Sequence, residues 1–422
     1  MVSKKSRNFN ALHDTMVGCS LVFTYIENVN FIEILESKLD VSCMKHFAIV
    51  FLTLLFSIVT RAAWDLNDVS YVMPLQVQSD GHVNTLPMKG LIPEKIFDRI
   101  SPIAMDMDAR DNARAMRVVA MRIDPCFPYP TQLSCQKQLR LVWQPLVQYE
   151  GDGSIDAIDA ALHSFYPLTD AEFDSLLQDL QTWKARTGVE TRGLPLGPHP
   201  AFSSNRGVAA LKDLNRIILK FAGERNLSRV TAMFLRGGGA MWLFGAFDFK
   251  NGELISITLP RLGKATAQSF VNVVTSGEVF SGGGIAGARA TGEDTLSTIV
   301  SESQRVRTGN EDLIRKELSA AYKIENPKSY NPENMDCVSC HVAQTARLWV
   351  DRKRADIVTK DIAAQFGYQN AAYNMANISQ EPWHTQQLRA LGYHAKKISI
   401  AQRAINESAE VADSINRYLN SK

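Results

Sequence analysis

Residues 326–341 read NPKSYNPENMDCVSCH, and this stretch divides the chain. Its first part holds two Asn-Pro pairs, Asn326-Pro327 and Asn331-Pro332. Proline fixes φ and removes a backbone donor, so the segment reads as a loop or linker. On its N-terminal side the pattern is mixed. Met116–Asp124 and Gln138–Val147 alternate as strands, and Pro145 pushes the second toward a sheet edge or a break. Thr169-Asp170-Ala171-Glu172 is a capping box that opens a helix through Lys184, with Phe173, Leu176, Leu177, Leu180 and Trp183 at helical spacing. A second amphipathic helix covers Val208–Ala222, with Gly223 placed to stop it. Runs at 229–235, 240–249 and 253–259 read as strands, the last two joined by Asn251-Gly252. A helix covers Glu311–Tyr322. On the C-terminal side, Ser399-Ile400-Ala401-Gln402 reads as a capping box for a closing helix with an apolar stripe from Ala401 to Leu419. The fold expected is an α+β domain over 63–325 followed by a small all-α domain over 326–422.

After the loop comes Cys337-Val338-Ser339-Cys340-His341, which has the spacing C-x-x-C-H. Two thiols three positions apart can form thioethers with the two vinyl groups of a haem, and the adjacent imidazole then lies under the iron as proximal ligand. The cofactor expected is one covalent haem c bound by Cys337, Cys340 and His341. Three other readings compete. A zinc site would use the two cysteines with His384 and His394. A thioredoxin-type pair should follow a strand, whereas here a polar loop precedes it. A plain disulfide is the third.

With this motif near its start and a helix at its end, segment 326–422 resembles a monohaem c-type cytochrome domain; residues 63–325 resemble no family. The resemblance implies an all-α haem domain, electron transfer, and a redox partner protein. It also implies a sixth iron ligand. Met375 is the only methionine after the motif and lies in an irregular stretch, so it is the candidate distal ligand, with His394 as the alternative and His384 behind it. Two other functions stay open. One is a haem-dependent oxidoreductase with its substrate site in the α+β domain. The other is a non-catalytic envelope binding or sensor protein.

The N-terminus fits an exported protein. Met44-Lys45-His46 precedes an apolar run, Phe47–Val59, that is too short to span a bilayer and has the length of a signal-peptide core. Residues 44–62 are therefore expected to be a signal peptide cleaved after Ala62. Residues 1–43 would be an upstream extension, and the location periplasmic or otherwise extracytoplasmic. No stable membrane span is expected after cleavage. Cys126 and Cys135 close a short loop and are expected to pair in an oxidising compartment. The net charge of +2 gives no case for nucleic acid as a partner. Gly282–Gly287 matches G-x-G-x-x-G in letters but no convincing helix start follows, so it reads as a flexible glycine loop. His163 and His199 read as structural histidines, and Arg352-Lys353-Arg354 as a solvated run.

Overall fold

The computed structural model describes residues 63–75, 85–100, 109–127, 135–149, 153–236, 241–275, 278–286, 288–301, 307–379, 388 and 390–422. The expected upstream extension and signal peptide lie outside these residues, as does His384. The body Trp64–Lys422 is organised on one antiparallel sheet. A short helix α1 (Leu66–Val69) leads into β1 (Ser70–Val72). Helix α2 (Ala109–Ala115) precedes β2 (Met116–Phe127), which pairs with β1 and with β3 (Gln136–Gln148). Strand β3 also takes β4 (Ile155–Ala157) and β5 (Ala161–Pro167). Helices α3 (Asp170–Thr187) and α4 (Gly207–Phe221) follow. The sheet then continues through β6 (Arg229–Arg236), β7 (Met241–Lys250), β8 (Glu253–Ser256), β9 (Ala267–Thr275) and β10 (Glu278–Ala286).

Alternation along these strands sorts side chains onto two faces. Leu139, Leu141 and Trp143 of β3 join one core with α3 and α4, whereas Val142 joins a cluster on the opposite face. Val230, Ala232 and Phe234 of β6 face the α3–α4 side, and Met233 faces away. Although the C-terminal half of the last helix packs in the first core, the second face is covered by the remaining elements. These are α5 (Ser297–Ser301), α6 (Glu311–Glu325), α7 (Cys337–Lys353), α8 (Lys360–Phe366), the hairpin β11 (Leu391–His394) and β12 (Lys397–Ile400), and α9 (Gln402–Asn420). The body Trp64–Lys422 is layered as helices, sheet, helices.

This arrangement corrects the expected fold class. Residues 326–422 are not an all-α domain following an α+β one. They contain the β11–β12 hairpin, and they share cores with the sheet: Val411, Ala412 and Ile415 of α9 pack in the α3–α4 core, and Val338, Val342 and Trp349 of α7 pack with Trp242, Phe244 and Phe270. The fold is continuous mixed α and β.

Several local expectations meet physical detail. Pro145 lies inside a central strand because β5 pairs with β3 only as far as Trp143 and β4 begins pairing at Leu146. The proline falls in the gap between two neighbours, where no ladder donor is needed on that side. The Asn251-Gly252 turn has φ of 51° and 79°, as a type I′ hairpin requires. The capping box at Thr169 forms, with Glu172 N donating to Thr169 Oγ1 at 3.3 Å and Thr169 N to Glu172 Oε2 at 2.8 Å. The box at Ser399 does not form: Ser399 is in β12, and α9 starts later, with Ala401 as N-cap. Gly282 to Ala286 do not form the expected glycine loop; they belong to strand β10, which pairs with β9. Cys126 and Cys135 are joined by a disulfide.

Two features of this packing can be tested. Gly392 has φ +153°, and a Cβ there would lie 2.2 Å from Gln144 Oε1. Gln144 is fully buried and holds the hairpin to the sheet, accepting from Tyr393 N at 2.7 Å and donating to Tyr393 O at 2.9 Å. Gly392→Ala should cost roughly 2–4 kcal/mol from backbone strain and lost hydrogen bonds. An unchanged melting temperature would show that the hairpin is not pinned this way. The second feature is His199, 1% exposed and stacked on Tyr71 with ring centroids 5.2 Å apart. Burial, helped by the Lys184 charge, pushes its imidazole down to about 3. Its stabilising effect is therefore complete above the ordinary histidine value and is lost as pH falls from there toward 3. His199→Asn, which keeps an acceptor for Ala201 N, should lessen the fall in unfolding free energy between pH 7 and 5 by about 2 kcal/mol. The same fall in both proteins would refute a buried neutral imidazole.

Candidate functional site

The second face of the sheet carries a cavity whose floor follows from strand register. Arg122 of β2 stands opposite Arg140 of β3, Arg140 opposite Phe165 of β5, and Phe165 opposite Arg229 of β6. One pair-step along, Val142 stands opposite His163, and His163 opposite Thr231. Met233 faces Ala161 on one side and Phe244 on the other. These positions are two apart on each strand, so all point to one face. The roof comes from Cys337, Cys340 and His341 of α7, from Leu388 and Leu391, and from Arg403, Ala404 and Glu407 of α9. The cavity offers about 160 Å³ to the centres of water-sized molecules.

The start of α7 is pinned to the sheet. Asp336 is its N-cap and is fully buried. Its Oδ2 accepts from Ser339 N at 3.1 Å and from Gln268 Nε2 at 2.9 Å, while Gln268 Oε1 accepts from Val338 N at 2.9 Å. Two of the helix's orphan amides are thus satisfied. Cys340 N donates to Asp336 O at 3.1 Å, the first bond of the helix ladder. The turn so fixed places both thiols and the His341 ring on the cavity. His341 Nδ1 donates to the Leu388 carbonyl, and its ring lies 5.1 Å from that of Phe244. Burial raises both thiols, Cys337 to about 12 and Cys340 to about 11, so they are protonated at neutral pH. His163 is pushed down to about 3 by burial and by the Arg140, His341 and Arg122 charges, and is neutral.

The other end of the cavity is charged. Arg122 Nε bonds Asp124 Oδ1 at 2.9 Å, and its Nη1 bonds Glu407 Oε2. Arg140 Nη2 lies 2.9 Å from Asp124 Oδ2, and Arg403 Nε donates to Glu407 Oε1 at 2.8 Å. Burial alone would raise the Glu407 carboxyl, but Arg122, Arg403 and Arg140 outweigh it and hold it well below the usual carboxylate range. All five groups are largely buried, with side-chain exposures of 4–15%. Among the described residues, three guanidiniums and two carboxylates meet in this low-dielectric setting. At the rim, Arg229 pairs with Asp248 at 2.7 Å and with Glu333 at 3.5 Å.

The site residues read from the sequence divide between this cavity and other places. Cys337, Cys340 and His341 line it together; Met375 and His394 do not. Met375 packs with the cluster around Leu391 and Tyr393, and its carbonyl accepts from Gln402 Nε2 at 3.4 Å. His394 ends β11 opposite Lys397. Among the described residues, no group of three or more His, Cys, Asp and Glu side chains that could hold a metal ion comes together. The expected axial pair is not assembled, and the segment lacks the all-α fold that the resemblance implied. The monohaem cytochrome c reading is therefore withdrawn. With it go haem c as cofactor, electron transfer, the haem-dependent oxidoreductase and haem-sensor alternatives, and the zinc site.

Sequence reading passed over Arg122, Asp124, Arg140, Arg403, Glu407 and Gln268. A signal existed for the first three: Arg122 and Asp124 in MRVVAMRID and Arg140 in QLRLVW are charges within otherwise apolar strands. Charges there must be paired or serve a site. Among the described residues, no helix is long and apolar enough to cross a membrane. No family model, no curated protein and no solved structure matches the chain.

Proposed function

We propose that this protein binds a small molecule with a largely apolar body and at least one acidic group, in the cavity between the sheet and the starts of α7 and α9. The observation that carries the reading is the cluster of three buried guanidiniums lining the cavity beside apolar walls. A carboxylate, sulfonate or phosphate entering from the cavity would neutralise the Arg122–Arg140–Arg403 cluster and gain charge-assisted hydrogen bonds. The rest of such a ligand would replace water against Val142, Met233, Phe244, Leu388 and Leu391. The neutral thiols and the neutral His163 present no opposing negative charge to it.

The test uses 8-anilinonaphthalene-1-sulfonate, an apolar aromatic sulfonate whose emission reports burial. It should bind at one site per chain, and an uncharged analogue of the same size should bind more weakly. Arg140→Gln should lower the affinity about ten-fold, the worth of one hydrogen bond to a charged group. Equal affinity for the charged and uncharged probes, with no effect of Arg140→Gln, would overturn the proposal.

We also infer that the chain is exported and that residues 44–62 are its signal peptide. The Cys126–Cys135 disulfide supports an oxidising compartment. Trp64, two residues past the expected cut, is 4% exposed, with its N–H donating to Asn416 Oδ1 at 2.8 Å and its carbonyl accepting from Asn416 Nδ2 at 3.0 Å. N-terminal sequencing of the protein from its source should begin at Ala63 or Trp64. Intact residues 1–43 on the exported protein would refute this.

A further inference from the structure

Cys337 and Cys340 are free thiols, in a chain whose Cys126 and Cys135 are oxidised to a disulfide. They stand three positions apart in the first turn of α7 and line the same cavity. Side chains at that spacing share a helix face with Cβ atoms about 5–6 Å apart, a little beyond the ~3.5–4.5 Å of a disulfide. Tightening the first turn brings them within bonding reach. We propose that Cys337 and Cys340 form a reversible disulfide, and that an occupant of the cavity shields them from oxidation. The shielding rests on the ligand reading above; the disulfide does not.

The oxidant is a small-molecule disulfide of the glutathione class. The thiolate of one cysteine attacks it, breaking its S–S bond, forming a mixed disulfide and expelling one thiolate. The second cysteine then attacks the protein sulfur of that mixed disulfide and expels the other. One S–S bond forms in the protein and one breaks in the oxidant. Two electrons pass to the oxidant, and the two protons from the cysteines end on its released thiols. Because burial keeps Cys337 and Cys340 protonated, the reaction is slow at neutral pH and gains about ten-fold per pH unit as thiolate becomes available.

The full chain is incubated with oxidised glutathione at alkaline pH, quenched by alkylation and mapped by peptide mass. The peptide holding both cysteines should lose about 2 Da, and dithiothreitol should restore it. Cys337→Ser should instead trap Cys340 as a glutathione adduct. The disulfide is refuted if glutathione adducts persist on both cysteines of the wild type. It is also refuted if neither reacts while both alkylate after denaturation. Saturating 8-anilinonaphthalene-1-sulfonate should slow closure at least ten-fold. A bound probe with no effect on the rate overturns the shielding, and a probe that does not bind overturns the ligand reading and the shielding together. In both cases the peptide mass still decides the disulfide.

Discussion

The buried ion network of Arg122, Asp124, Arg140, Glu407 and Arg403 is the constraint on which the site depends. Two like charges, Arg122 and Arg140, stand directly opposite on neighbouring strands, a placement that is unfavourable unless counter-charges intervene. Asp124 supplies one from the same strand, and Glu407 brings the other from the far end of the chain. Glu407 therefore fixes the position of α9 on the sheet. Arg403, one turn earlier, donates to the carbonyls of Ile324 and, at 2.6 Å, Tyr330, which ties the end of α6 and the Asn-Pro loop to the same point. Removing a single member would strand a buried charge, a loss far larger than that of a surface pair.

Two neutral pins complete the cavity. Gln144, inside β3, holds both backbone groups of Tyr393 and so sets the hairpin that borders the cavity. Gln268, inside β9, shares Asp336 with the first turn of α7. In each case an amide side chain on a strand satisfies polar groups of the covering layer that would otherwise be buried unpaired. The chemistry-bearing turn Cys337–His341 is thus held by the sheet rather than by a domain of its own. This is also why the cavity has a charged end and an apolar end: the strands supply alternating positions, and the covering helices determine which of them are shielded from water.

Short-range patterns were readable in the sequence because their causes are local. The capping box at Thr169 and the Asn251-Gly252 turn involve residues within a few positions of each other, and α3 and α4 announce themselves by apolar spacing within one helix. The disulfide spans a separation of 9. Where a local pattern failed, a distant partner had overridden it. Ser399 could cap a helix, but Ile400 and Ser399 pair instead with Leu391 and Gly392, and Gln344 of α7 supplies an acceptor to Gln402 N.

The C-x-x-C-H spacing shows the same limit from the other side. By itself the sequence determined that two thiols and an imidazole stand within five positions behind a proline-containing loop. Only the tertiary structure decided what surrounds them. Met375 and His394 are close to His341 in sequence but do not join it on the cavity, whereas Arg122, Arg140 and His163, about 180 to 220 positions away, do. Likewise Trp64 meets Asn416 across a separation of 352, and Gln144 meets Tyr393 across 249. Contacts at such distances depend on which strands pair and which face each helix covers. That choice is made by the burial of the whole sheet, and no short stretch of sequence carries it.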